Sequence, residues 1–166
     1  MSNVRFAFKK FTVKQDRCAM KVSTDAVLLG AWVTPNGSSN ILDVGTGTGV
    51  IALMLAQKTK ARILAIDIDK EATIQAEENV RESGFTNIGV SHISLQDLAA
   101  TSKEKFDLIV SNPPYFMDSL KSQDFNRTIA RHNESLSFND LINGVGSLLS
   151  EKGRFCLILP TKEATI

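Results

Sequence analysis

Five short apolar runs set the architecture of this chain. They are "NILDVG" (40–45), "ARILAIDID" (61–69), "IGVSHI" (88–93), "KFDLIVSN" (105–112) and "RFCLILP" (154–160). Each has the length and bounding residues of a buried strand. Between them lie helix-like segments. "TGVIALMLAQKT" (48–59) is apolar all round, which predicts a well-covered helix. "KEATIQAEENVRESG" (70–84) is amphipathic and closes on Gly84. "QDLAAT" predicts a short helix or turn. "SFNDLINGVGSLLSEKG" (137–153) predicts a helix capped by Ser137, with Gly153 beyond its end. Residues 116–134 are polar and irregular, as in a long loop. Strands alternating with helices need crossover connections. The fold class is therefore α/β, a doubly wound, mostly parallel sheet with helices on both faces.

A chain of 166 residues, 43% hydrophobic, suits one domain over 1–166. No apolar run approaches the roughly 20 residues that span a bilayer. The start, "MSNVRFAFKK", lacks the apolar core of a signal peptide, so a cytoplasmic protein with no membrane partner is expected. Cys18 and Cys156 lack metal-ligand spacing and read as small buried hydrophobes. No metal is expected, because His92 and His132 are isolated. His92 reads as a strand residue. His132, with Arg127 and Arg131, sits beside the long loop, where it could meet phosphate or close over a ligand.

Charge is unevenly spread. Arg5, Lys9, Lys10, Lys14, Arg17 and Lys21 oppose only Asp16 in residues 1–21, giving +5 there against −4 for the remainder and +1 in total. Phe6, Phe8 and Phe11 interleave with that charge. Such a segment can be a nucleic-acid contact, or a solvated face whose rings pack inward.

Ligands of open α/β sheets bind at the carboxyl ends of the strands. In "DVGTGTG", Gly45, Gly47 and Gly49 with Thr46 form a strand-to-helix turn, where glycine permits positive φ and close approach of a ligand. The spacing is G-x-G-x-G, and the third glycine of a dinucleotide loop would fall at Val50. Asp43, just before the turn, would repel a pyrophosphate and suits a ligand that carries an amine. Asp67, about 20 residues on, can accept from both hydroxyls of a ribose, with Ile68 beside it and Asp69 better placed to start the next helix. That ribose belongs to NAD and to S-adenosylmethionine alike. In "SLQD", backbone groups near Ser94 and Leu95 could hold an adenine, with Asp97 as side-chain partner. A plain helix cap fits the same residues.

"SNPPYF" (111–116) ends the fourth run. An exocyclic amine is a poor nucleophile while its lone pair is delocalised. Two fixed acceptors that bind its two hydrogens let the nitrogen turn pyramidal. The Asn112 side-chain carbonyl and the Pro113 backbone carbonyl can serve, held rigid by Pro113 and Pro114. Tyr115 can stack on a planar substrate, worth roughly 1–3 kcal/mol for a base.

Together, "DVGTGTG", Asp67 and "NPPY" resemble the class I S-adenosylmethionine-dependent methyltransferases that act on amino groups. "FTVKQDRCAMKVSTDAVLLGAW" (11–32), "SNPPYF" and "RHNESLSF" (131–138) are similar to the bacterial tRNA1(Val) adenine-N6 methyltransferases. The resemblance implies S-adenosylmethionine as donor, tRNA as partner and, as target, the adenine 3′ of the valine anticodon. It also implies that "STDAVLL" flanks the methionine end of the donor, through Thr24 and Asp25, and that Asn112 borders donor and acceptor. Residues 1–22 are expected to form a basic, aromatic extension on or near the substrate face. The family continues past "LPTKEATI" into further strands and a final β-hairpin. Two rivals remain: methylation of a protein glutamine amide, and a nonenzymatic nucleotide-binding module. A short basic segment in place of a helical substrate domain favours RNA over the first. "NPPY" and the glycine spacing argue against the second and against an NAD enzyme.

Overall fold

The computed structural model describes residues 4–113 and 137–159. Pro114, Tyr115, Arg127, Arg131, His132 and the long loop expected at 116–134 lie outside the described residues. A hairpin of β1 (Arg5–Ala7) and β2 (Thr12–Lys14) leads to helix α1 (Thr24–Trp32). Then come β3 (Asn40–Val44), α2 (Val50–Ala56), β4 (Arg62–Asp67), α3 (Lys70–Ser83), β5 (Ile88–His92), α4 (Leu95–Thr101), β6 (Phe106–Ser111), α5 (Phe138–Leu148) and β7 (Leu149–Leu157). The last five strands form one sheet in the order β5-β4-β3-β6-β7. Every pairing in it is parallel, as the alternation demands. The order reverses at β3, so the crevice beside β3 and β6 is where a ligand belongs.

Two apolar layers cover the sheet. One contains α1, α2 and part of α3, with Phe11 and Val13 of the hairpin segment. The other contains α4 and α5, with Leu95, Leu98, Leu141, Val145 and Leu148 against β3 and β6. All seven residues of α2 are buried, which is why that segment has no polar face. It is shorter than the 48–59 reading because Thr48 and Gly49 belong to the turn. Helix α5 also ends early, at Leu148, and β7 begins at once. A register shift between Phe106 and Leu108 absorbs the extra residues. A Cβ on Gly153 would fall 2.9 Å from the Phe106 carbonyl oxygen, so a side chain is excluded there.

Helix α1 packs closely on α2 at Gly30, where an added Cβ would meet Met54 Sδ at 2.7 Å. The Lys58 ammonium donates to the carbonyls of Gly30, Ala31 and Val33 at 2.7–2.8 Å. This caps the C-terminus of α1 at the amino end of the sheet, and Ser23, Thr24 and Asp25 stand at the carboxyl end. Among the described residues, no helix is long and apolar enough to cross a membrane. No cluster of three His, Cys, Asp or Glu side chains there could hold a metal ion.

Candidate active site

Residues Val44 and Ser111 are paired across β3 and β6, and the Ser111 hydroxyl donates to the Val44 carbonyl at 2.9 Å. The next residues are Gly45 and Asn112. The glycine turn and "NPPY" therefore start on adjacent strands, about 4.8 Å apart. Asn112 is half-buried and Pro113 buried.

The glycine turn takes left-handed φ at Gly45 (70°), Gly47 (54°) and Gly49 (80°). At Gly45 and Gly47, nothing lies within 4 Å of where a Cβ would sit, so the turn faces open space. At Gly49 a Cβ would touch Ala76 Cβ at 3.4 Å, which lets α3 close against the turn. Four of the turn's N–H groups are already committed. Gly45 and Thr46 donate to the Ile66 carbonyl at 2.9 and 3.0 Å, and Gly49 donates to Thr46 at 2.9 Å. Gly47 donates to Asp67 Oδ2 at 2.8 Å. A pyrophosphate needs such N–H groups free. Here the turn offers carboxylates instead, which disfavours a dinucleotide and suits a cationic ligand.

Asp43 is fully buried. Its Oδ2 accepts from the Thr46 hydroxyl at 2.7 Å and the Ala52 N–H at 3.2 Å. Its Oδ1 is buried with no partner among the described residues. Burial pushes the carboxyl up to about 6 against these two hydrogen bonds, with the Asp67 charge adding to the rise. An unpaired buried carboxylate oxygen is costly, and an ammonium or sulfonium nearby would offset that cost. The residues present therefore fit S-adenosylmethionine.

Asp67 uses both oxygens on the backbone: Oδ2 on Gly47, and Oδ1 on the Asp69 N–H at 2.9 Å. Burial raises its pKa despite those bonds. Each oxygen keeps a lone-pair direction for a ribose hydroxyl. Ile68 is exposed beside it, its carbonyl 2.9 Å from His92 Nε2. Asp69 caps α3 by accepting from Glu71 N–H at 2.8 Å. On α4, Ser94 accepts from the Asp97 N–H and its hydroxyl donates to the Asp97 carboxylate at 2.7 Å. The Leu95 side chain is core and would collide with a Cβ on Gly144 at 2.7 Å. The Leu95 side chain is thus turned inward, and Ser94 and Asp97 close a helix cap on each other.

Two functional-looking residues escaped the sequence reading. Gln75 and Asn79 are fully buried on the inner face of α3. Asn79 accepts from Lys14 N–H at 2.8 Å and donates to the carbonyls of Lys14 and Thr48, each at 2.9 Å. Gln75 accepts from the Arg17 N–H at 3.2 Å. They tie residues 14–17 to the glycine turn. The signal was available: two amides at i and i+4 share a face with Ala72, Ala76 and Val80. Cys18 is buried, as read, whereas Cys156, read the same way, is half-buried. Burial, with the charges of Asp67, Asp69 and Asp16, pushes the Cys18 thiol up to about 12.

The methyltransferase small domain family model matches residues 18–161. A tRNA1(Val) (adenine(37)-N6)-methyltransferase of Parabacteroides distasonis is 53% identical over 98% of this chain and 69% of its own length. The chain belongs to this methyltransferase family. A relative of the same description from Trichodesmium erythraeum is 47% identical, over 99% of this chain and 70% of its own. Among solved structures, a ribosomal protein L11 methylase from Lactobacillus delbrueckii subsp. bulgaricus superposes with a TM-score of 0.63 at 25% identity, over 92% of this chain and 68% of that one. TrmN from Thermus thermophilus, 24% identical, gives 0.60 over 81% and 37%, a likeness of fold. The methyltransferase reading of the sequence and its Rossmann-like fold class are both borne out.

Proposed function

We propose that this protein methylates the exocyclic N6 amine of an adenine in tRNA, the adenine next to the valine anticodon, with S-adenosylmethionine as donor. The observation that carries the reading is the pairing of Val44 with Ser111, which starts the glycine turn and "NPPY" side by side on one sheet. The relatives' described activity supports the choice of tRNA and of N6.

Asp67 takes the ribose hydroxyls, and Asp43 the positive end of the donor. Gly45, Thr46, Gly47 and Gly49 form the floor, and Ile68 lies against the adenine face. Thr24 and Asp25, at the head of α1, border the methionine end. Ser94, Leu95 and Asp97 contribute through the backbone and rim of α4. When bound, S-adenosylmethionine supplies a methyl group made electrophilic by its positive sulfonium. The Asn112 side-chain carbonyl and the Pro113 backbone carbonyl accept the two hydrogens of the target amine, directing its lone pair at the methyl position. Pro113 and Pro114 hold those acceptors in place without reorganisation, and Tyr115 stacks on the base. The chain contributes mainly proximity, orientation and exclusion of water. Extruding the base costs a few kcal/mol, less in an anticodon loop than in a duplex. Of the basic extension at 1–22 on a single domain, residues 15–22 are the part on the substrate side, and the β1–β2 turn lies at the other end of the sheet. A tRNA substrate sets the workplace as the cytoplasm.

The test is incubation with labelled donor, bulk tRNA and protein extract. Label in the tRNA fraction, as N6-methyladenosine, supports the reading. Label confined to protein would transfer it to a glutamine amide.

A further inference from the structure

The six cations of residues 1–21 are not one patch. The Lys14 ammonium is held by Glu78 at 2.8 Å and Glu82 at 2.5 Å, so its charge is spent within the fold. Lys9 and Lys10 lie in the turn between β1 and β2. That turn is fixed by Phe8 stacked on Phe11 (4.6 Å) and Phe11 edge-on to Phe85 (6.3 Å). Phe85 follows the Gly84 cap of α3 and precedes β5, which is the amino end of the sheet, opposite Asn112. Arg5 pairs with Lys14 across the hairpin, midway along α3.

The chain then climbs α3 toward its N-terminus, from Asn79 at Lys14 to Gln75 at Arg17. The Val22 N–H donates to Gln15 Oε1 at 2.9 Å, closing a loop over 15–22, and Ser23 caps α1. Cys18 points inward, and Asp16, Arg17, Ala19, Met20 and Lys21 are exposed. Arg17 shares a surface pocket with Arg5, Lys14, Asp16 and Glu78, and with Lys21 it lies on the loop that runs from Lys14 to the head of α1. Neither has an ion pair among the described residues. The acids near Arg17 are Asp16 on the same loop and Glu78, whose carboxylate Lys14 already holds.

We infer that the 15–22 loop is the RNA-facing rim of the active site, with Arg17 and Lys21 taking backbone phosphates of the strand that carries the target adenine. The inference rests on the tRNA reading above. A base that reaches Asn112 brings its flanking phosphates to this end of the sheet, and the hairpin turn faces away from it.

Each phosphate contact on a single strand contributes about 0.7 to the slope of log K against log salt, roughly 1.4 for two. Binding of a valine tRNA transcript is measured at several salt concentrations for wild type, R17Q/K21Q and K9Q/K10Q. KM for tRNA and donor affinity are measured on the same samples. The expected result is a slope smaller by about 1.4 and a KM for tRNA about tenfold higher in R17Q/K21Q, with donor affinity within twofold of wild type and K9Q/K10Q unchanged. A wild-type slope in R17Q/K21Q, or a loss carried by K9Q/K10Q, overturns the inference. So does a parallel loss of donor affinity, which would make the loop a donor wall alone. A wild-type enzyme that methylates no tRNA overturns the functional reading itself, and this inference with it.

Discussion

Replacing Asp67 separates donor recognition from folding. Its two oxygens accept N–H groups of Gly47 and Asp69 and have one lone-pair direction each for a ribose hydroxyl. Hydrogen bonds to a charged partner contribute about 1.5–3 kcal/mol each. Losing even one weakens donor binding by about tenfold or more. Asp67→Asn is no milder than Asp67→Ala by this geometry. Its NH2 group must face one of two N–H donors, so the amide cannot hold both the turn and Asp69. Relief of a buried charge works against the loss of these backbone hydrogen bonds, so donor affinity is read on samples that unfolding shows to be folded. Calorimetry with S-adenosylmethionine and with a 2′-deoxyribose analogue supplies a double-mutant cycle. Wild type should lose about 1.5 kcal/mol to the analogue, and Asp67→Asn almost none. A folded variant with wild-type donor affinity, or equal losses to the analogue, would refute the assignment.

Asn112→Ala should cost about 10²-fold or more in single-turnover rate, with donor affinity near wild type; a simple turn mutant would lose both together. Tyr115→Ala should cost about 1–3 kcal/mol in RNA binding or turnover, and Tyr115→Phe little, since the ring does the stacking. Burial pushes the Asp43 carboxyl up to about 6 in the folded chain, from 3.8 for the free side chain. Its neutral form therefore contributes stability that is complete below the unfolded pKa and is lost as pH rises through about 6. The two-unit difference bounds this at about 3 kcal/mol. Without donor, thermal unfolding from pH 4 to 7 should show that fall, and Asp43→Asn should flatten it. Gly49→Ala, with φ of 80° and Ala76 at 3.4 Å, should destabilise by about 1–2 kcal/mol in urea titration.

The sheet was legible because alternation of apolar runs with helical segments leaves few topologies, and Ser137 and Gly84 marked the ends of α5 and α3 correctly. The hairpin was not. "RFAF" and "TVK" are too short to signal strands, and "KKF" carries no turn residue. Stacked phenylalanines and Asn79 impose the pairing from outside. At the site, the strand ends followed from the topology, so Asp43, Asp67 and Asn112 could be named. What the side chains do there could not. The burial of Asp43 depends on the Thr46 hydroxyl, the inward turn of Leu95 on a missing side chain at Gly144, and the pairing of Lys14 on glutamates 64 and 68 residues away. Such contacts are set by packing between elements, and local pattern carries no trace of them.

The central claim is that this chain transfers a methyl group to one adenine amine of tRNA. It is tested most directly with two valine tRNA transcripts, one with adenine 37, the position in the relatives' described activity, and one with guanine there. Each is incubated with labelled S-adenosylmethionine and the protein, digested to nucleosides and resolved by mass spectrometry. The account predicts N6-methyladenosine from the adenine transcript and no labelled nucleoside from the guanine one. Equal labelling of both, or a methylated nucleoside other than N6-methyladenosine, would contradict it.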